Sequence, residues 1–434
     1  MKQEYIVKGK IEAMAFGGKG ILRHENMVVF VPMVAPGDIV STLITKKKKS
    51  FAESKLVEIH EASPLRGPPK CPKYGQCGGC NMQHIKYSSQ LDIKRAFVED
   101  SLKRIGKLEI GEVSPVIPAT KIWSYRRNIK LSLRPGNPGF HIGFVGIDKM
   151  SLVSVENCSI FTFEDDQILM NVRDIVKGLN CRRGNSGSVT ILRVEGEQFT
   201  LHFQFKNEIP ANFTDSMKRS LLTLAFFTGA SVFCNGKELS IGNPISEFTL
   251  LDGIKITCSP RAFVQNHPEQ SLHIYERVRE AVAQTKSKKV LDLYCGIGCL
   301  SLILASSGFR VHGVENNPDA VRLAKSNAKL NGLDSLTSFT CSDVEKVLPE
   351  IMSSFSPDFL IVNPARVGLD PSVLKALNSS NLRDIIYISC MPPTLARDLS
   401  DLVKIGGFEI LNVQPYDMFP QTSHVETVVH LRRP

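Results

Sequence analysis

The sequence predicts an α/β protein: a doubly wound sheet in its C-terminal part, preceded by two strand-rich units. Three observations carry this. From about residue 262, four apolar runs, "KKVLDLYCGIG", "RVHGVEN", "DFLIVNPA" and "DIIYISC", alternate with helical segments, the pattern of a parallel sheet. Residues 1–62 instead alternate apolar and polar in short β-branched runs broken at Gly17-Gly18, Gly20 and Pro36-Gly37. Residues 112 to about 260 carry further short strand-like runs, "NIKLSL", "FHIGFVG", "SVTILRVEG" and "QFTLHFQF".

Taken in order, residues 1–62 read as a small barrel of antiparallel strands. Its basic run Lys46–Lys49 follows the strand-like "DIVSTLIT". On such a barrel it is either a solvated face or a phosphate contact. Residues 63–261 form a central, mainly antiparallel β unit. It opens on the Pro/Gly-rich "PLRGPPKCPKYGQCGGCNMQH" and continues into an amphipathic helix, 88–106, stopped by Gly106. Residues 262–434 form the α/β unit.

The 434 residues carry 53 Lys+Arg against 43 Asp+Glu, a formal charge of +10 that favours a polyanionic partner such as nucleic acid. No apolar run approaches the ~18 residues of a membrane span. The start "MKQEYIVKGK" has no apolar core of a signal peptide. A cytoplasmic, reduced protein with no membrane association is expected, and no feature points to an obligate protein partner. The 11 cysteines are then not a disulfide framework.

Cys71, Cys77 and Cys80 give C-x5-C-x2-C, with Cys158 in "VENCSIF" a distant fourth. Thiolate sets select zinc or iron–sulfur clusters. Zinc usually takes two short pairs. One tight trio with a remote fourth fits a 4Fe-4S cluster better, although spacing leaves both metals open. The remaining cysteines outside "YISCMPP" stand singly and read as structural.

In "VLDLYCGIGCLSLILA" a buried strand runs through a glycine turn, Gly296 and Gly298, into an apolar helix. Backbone can approach a ligand there. Glu315 ends the next strand 19 residues after Gly296 and can accept both hydroxyls of a ribose. Asp343 ends the third strand, where it meets an adenine amino group or caps a helix. The pair D-x-x-C-G-x-G plus acidic strand end resembles class I S-adenosylmethionine-dependent methyltransferases, with a nicotinamide enzyme as the competitor.

Four further stretches join it: "PRAFVQNHPEQ", "VNPARVGLD", "ISCMPPTLARDL" and "FPQTSHVETVVHL". Together with the four cysteines they resemble the RNA (uracil-5-)-methyltransferase family, and residues 1–62 resemble its TRAM domain. The resemblance implies S-adenosylmethionine bound by Gln265, Tyr294, Glu315 and Asn363, with Asp343 at the adenine. It implies a 4Fe-4S cluster on Cys71, Cys77, Cys80 and Cys158. It implies Cys390 as a nucleophile adding to uracil C6 and Glu426 as the base that removes the C5 proton. The substrate implied is one uridine in structured RNA, 23S ribosomal RNA before transfer RNA. An inactive RNA-binding relative is the alternative, because Asn363 stands where the family usually has Asp. "YRRNIK", Tyr125–Lys130, offers stacking and phosphate contacts to that RNA.

Overall fold

The structure, a computed structural model, describes residues 5–162, 167–182, 184–194 and 198–434. Within them the chain forms three large sheets and one hairpin. The last two residues of the run "SVTILRVEG" lie outside the described residues.

The N-terminal sheet is a six-stranded half-barrel. Its order is Ile6–Lys10, Ile39–Lys47, Phe51–Glu61, Met27–Pro32, Lys19–His24, Ala13–Ala15. The alternation in the sequence buries Val7, Leu22, Val29, Val31, Val40 and Ile44 in one core. The expected all-antiparallel pairing is corrected at one place: Met27–Pro32 and Phe51–Glu61 run parallel. Lys46–Lys49 are exposed. The ammonium of Lys47 lies 5.7 Å from the Tyr5 ring centroid.

The central sheet has seven strands, mainly antiparallel, in the order Lys237–Gly242, Phe227–Cys234, Phe199–Phe205, Gly187–Arg193, Asn128–Pro135, Phe140–Val145, Leu152–Val153. Its one parallel pair, Phe199–Phe205 with Phe227–Cys234, is joined by the crossover helix Phe213–Thr223. Phe140, Phe203, Phe205 and Phe213 fill the space between this sheet and its helices. The hairpin Ser246–Thr249/Lys255–Cys258 packs instead into the core of the C-terminal unit, through Phe248 and Ile256.

The C-terminal sheet has the order Thr337–Cys341, Arg310–Glu315, Lys289–Leu293, Phe359–Val362, Asp384–Ser389, Glu426–Arg432, Glu409–Tyr416. The first five strands are parallel with helices between them, as their continuous apolar runs predict. The reading of a wholly parallel sheet is corrected at Glu426–Arg432, which runs antiparallel to both neighbours. Its first residue therefore lies at the carboxyl edge of the parallel strands, with Thr427 paired to Ser389.

The chain reaches that strand through residues 417–425, a polar stretch that is nonetheless buried at Asp417, Gln421, Thr422 and Ser423. The helix Tyr87–Asp100 holds it, and continues as one π turn, Ser101–Ile105, to Gly106. Lys94 and Asp417 are both fully buried and their charged atoms lie 2.5 Å apart. Lys94 Nζ also donates to the Phe419 carbonyl (3.0 Å). Gln90 and Gln421 exchange two hydrogen bonds of 3.0 Å. Tyr125 Oη donates to the Pro420 carbonyl (3.0 Å). Removing one member of a buried ion pair leaves the other charge uncompensated, which costs about 3–5 kcal/mol. Urea unfolding of Asp417→Ala is expected to show a loss of that order. The apolar pair Lys94→Met with Asp417→Leu is expected to lose much less; equal losses would refute the charge argument.

Candidate active site

The cofactor half of the site is built mainly from the strands Lys289–Leu293 and Arg310–Glu315 of the C-terminal sheet. After Leu293 the chain turns through Tyr294 (φ 63°), Gly296 (φ 55°) and Gly298 (φ 83°) before the helix Cys299–Ser306. Glycine takes such φ values without strain; Tyr294 does not, and strained residues of this kind cluster at functional sites. The Tyr294 hydroxyl is pushed up to about 12, chiefly by burial. Glu315 is half-buried and faces this turn: its carboxylate accepts from the backbone N–H of Gly296 (3.1 Å) and of Asn317 (2.9 Å). Asp292, just upstream, is buried and pushed up to about 7 by burial, and accepts from Ser301 Oγ at 2.6 Å.

Asp343 precedes the helix Val344–Ser354 at the N-cap position, but its side chain makes no cap hydrogen bond. Its carboxylate accepts from Lys346 Nζ (2.7 Å) and Asn316 Nδ2 (3.2 Å), which hold it below its usual range. Asn363 N–H donates to the Leu293 carbonyl (3.3 Å), placing Asn363 beside the glycine turn. Gln265 lies on the separate loop that leads into the helix Pro268–Ala283 and is half-buried. Three strand ends thus bring Glu315, Tyr294 and Asn363 together, while Gln265 and Asp343 approach from flanking loops.

The second half of the site forms where Asp384–Ser389 ends. Cys390 follows, half-buried, and Pro392-Pro393 open the helix Pro392–Lys404, where missing N–H groups are no loss. That helix grips the loop after Asn363. Thr394 Oγ1 donates to the Arg366 carbonyl (3.2 Å), Arg397 Nη2 to the Val367 carbonyl (2.9 Å), and Leu369 N–H to Asp398 Oδ2 (2.8 Å). Gly368 (φ 81°) is required there, since a Cβ would lie 2.5 Å from both Arg397 Nη2 and Asp398 Oδ2. Arg366 is so placed that its charge acts on both Cys390 and Glu426.

Glu426 is 4% exposed. Burial raises its carboxyl to about 8, with Arg366 opposing. Burial raises the Cys390 thiol to about 11; Glu426 adds to this and Arg366 opposes it. The Glu426 carboxylate thus disfavours ionisation of the Cys390 thiol. His424, two residues before Glu426, is pushed down to about 4 by burial and by Arg366, and its Nδ1 is buried without a partner. Arg366 and His424 received no role from sequence reasoning, though "NPAR" and "SHVET" frame both.

One expectation is corrected. Tyr125 is not available to stack on a base: it is buried, and its ring stacks on His267 at 4.9 Å. Cys71, Cys77, Cys80 and Cys158 line one cavity of about 260 Å³ together with Arg126. Yet among the described residues no three Cys, His, Asp or Glu side chains are grouped to hold a metal ion. The thiols share a cavity without being a preformed ligand set. Burial raises Cys77, Cys80 (about 11) and Cys158 (about 12), and neutral thiols have no need to converge. The donor chemistry still suits a soft metal cluster, and Arg126 Nε on the cavity wall is buried without a partner.

A profile of the tRNA (uracil-5-)-methyltransferase family matches residues 254–434. An RNA methyltransferase of Protochlamydia amoebophila is 45% identical over 98% of this chain and 98% of its own length. One of Halalkalibacterium halodurans is 32% identical over 98% of this chain and 96% of its own. Among solved structures, the tRNA (uracil-54, C5)-methyltransferase of Pyrococcus abyssi, in complex with S-adenosyl-L-homocysteine, is similar at a TM-score of 0.76. It is 26% identical and the match covers 98% of this chain and 100% of that one. The C-terminal unit, with its glycine turn facing Glu315, thus belongs to the tRNA (uracil-5-)-methyltransferase family, and the chain as a whole is an RNA methyltransferase.

Proposed function

We propose that the enzyme methylates C5 of one uridine in structured RNA, with S-adenosylmethionine as donor, Cys390 as nucleophile and Glu426 as base. The observation that carries this is the pairing of Ser389 with Thr427, which sets a thiol and a buried carboxyl side by side at the sheet's carboxyl edge. Uracil C5 is too weak a carbon nucleophile to take a methyl group unaided. Addition of the Cys390 thiolate to C6 converts C5 into an enolate-like carbon. S-adenosylmethionine supplies the methyl group, held by Glu315 at the ribose with Gln265, Tyr294, Asn363 and Asp343 around it. The Glu426 carboxylate then takes the C5 proton. The electron pair re-forms the C5–C6 double bond and expels the Cys390 thiolate. Arg366, cationic and within reach of both groups, favours the two anions that this sequence needs.

The RNA we propose is 23S ribosomal RNA, supported by the half-barrel with its exposed Lys46–Lys49. The second reading is transfer RNA. It is favoured by the whole-length match to the Pyrococcus abyssi enzyme, whose substrate is a tRNA. The place of action we propose is the cytoplasm; among the described residues no helix is long and apolar enough to cross a membrane. We further propose that Cys71, Cys77, Cys80 and Cys158 close on a 4Fe-4S cluster, with Arg126 facing its negative charge. This is supported by the shared cavity and by the partnerless Arg126 Nε.

Cys390→Ala is expected to abolish 5-methyluridine at one position in cellular RNA; mapping both 23S and transfer RNA decides between the two substrates. A wild-type level with the alanine variant would overturn the nucleophile assignment. Turnover is expected to rise with pH through about 8, because below that value Glu426 holds a proton and cannot accept one. Glu426→Gln is expected to remove that limb and to accumulate the covalent RNA–protein complex. The same shift bears on stability. A carboxyl raised from 4.5 to about 8 on folding contributes stability that is full below pH 4.5 and lost as pH rises through 8.

Asn363 can donate to uracil O4 and accept from N3–H, a pattern that cytosine reverses. A buried hydrogen bond left unsatisfied costs roughly 1–3 kcal/mol, so Asn363→Ala is expected to slow methylation by one to two orders of magnitude. Asn363→Asp is expected to retain activity on uracil; transfer by Asn363→Asp alone and none by the natural residue would show Asn363 to be disabling.

Protein purified without oxygen is expected to be brown and to contain about four irons per chain. Stoichiometric zinc without iron would overturn the cluster proposal and leave the methylation chemistry untouched.

A further inference from the structure

We propose that Asn81, the residue after Cys80, is a positioning residue for Glu426, and that through it the cysteine loop and the half-barrel set the proton-abstraction step. The inference deepens the reading of Glu426 as base and rests on it.

Asn81 joins three segments far apart in sequence. Its Oδ1 accepts from the backbone N–H of Ser423 (2.8 Å). Its Nδ2 donates to Ser423 Oγ (3.0 Å) and to the carbonyl of Gly17 in the half-barrel (2.9 Å). Its own N–H and that of Met82 donate to the Gln421 carbonyl (3.3 and 3.1 Å). Gln421 has φ 70°, a conformation that a side chain other than glycine keeps only when its surroundings hold it. The Gln90 amide and these two backbone donors are what surround it. Ser423 stands three residues before Glu426, and the residues between are packed: Val425 is fully buried and the His424 ring meets Phe16 (6.1 Å) and Phe419 (5.8 Å) edge-on. The geometry of Gly17-Gly18 fits the same purpose. Gly18 has φ 80°, and a Cβ there would lie 2.5 Å from Asn81 Nδ2.

The clamp acts on one partner of the catalytic pair. Cys390 is fixed by the strand before it and the helix after it. Glu426 opens its strand, and its approach is fixed by the 417–425 segment that Asn81 grips. A defect at Asn81 therefore displaces the base and spares the nucleophile. Covalent addition to C6 needs only the thiol, whereas breakdown of the adduct needs a carboxylate at the C5 proton.

The test separates those steps. Trapping on 5-fluorouridine RNA with S-adenosylmethionine reports addition and methyl transfer alone, since fluorine cannot leave as a proton does. Asn81→Ala is expected to trap at the wild-type rate. It should turn over ordinary uridine RNA about tenfold or more slowly, with the covalent complex accumulating as in Glu426→Gln. Asn81→Asp keeps the acceptor for Ser423 N–H and loses both donations, so an intermediate turnover is expected. Unchanged turnover, or trapping and turnover falling together as for general misfolding, would overturn the inference. If Asn81→Ala does not fold, Asn81→Asp and Gly18→Ala carry the same comparison. Glu426→Gln run in parallel keeps the two readings apart. If it accumulates no complex, the base assignment fails; if it does and the Asn81 variants do not, only the positioning role fails.

Discussion

The antiparallel pairing of Glu426–Arg432 with Asp384–Ser389 is the constraint on which the rest of the site depends. A parallel strand in that place would begin at the far edge of the sheet and carry Glu426 away from the cofactor side. Running backwards, it delivers its first residue where the other strands end. Register matters as much as direction, since side chains alternate faces along a strand and a one-residue slip turns Glu426 away. Asp384 at the opposite end of the same pair accepts from His430 Nε2 and Arg432 Nε, each at 2.8 Å, and these bonds anchor that register.

The placement carries an electrostatic cost that the site's chemistry explains. A buried carboxyl and a buried thiol next to each other both resist ionisation, yet the proposed reaction needs each as an anion in turn. Arg366 acts on both, and its loop is held by the helix that starts immediately after Cys390. Cys390 and Arg366 are therefore positioned by one helix, while Glu426 comes from elsewhere in the chain. That division allows the Glu426 carboxyl to be raised without fixing the thiol at the same setting.

Local features of the site were legible in the sequence. The strand–turn–helix around Gly296, the acid ending the next strand and the cysteine ahead of Pro392-Pro393 are all contained within a few residues, where backbone rules apply directly. What escaped the sequence is non-local. The direction of Glu426–Arg432 depends on which neighbour it pairs with. The stretch "DMFPQTSHV" has the composition of an exposed loop and is buried because Gln90, Lys94 and Tyr125 arrive from more than 290 positions away to meet its polar groups. For the same reason Tyr125, which reads as a free aromatic beside two arginines, is occupied with Pro420 and His267. The four cysteines share a cavity, but among the described residues they are not grouped to hold a metal ion.

The buried 417–425 segment explains why a sheet that supplies the glycine turn, Glu315 and Cys390 by itself is joined to two other units. Polar backbone in a dry place must find partners, and this segment cannot take them from the sheet, whose strands are already paired. Its partners come from the helix after the cysteine loop, from the loop itself and from the first residues of the central unit. The half-barrel reaches it at one point, through the Gly17 carbonyl bound by Asn81. The half-barrel and the central unit are in this way mechanically continuous with the approach to Glu426.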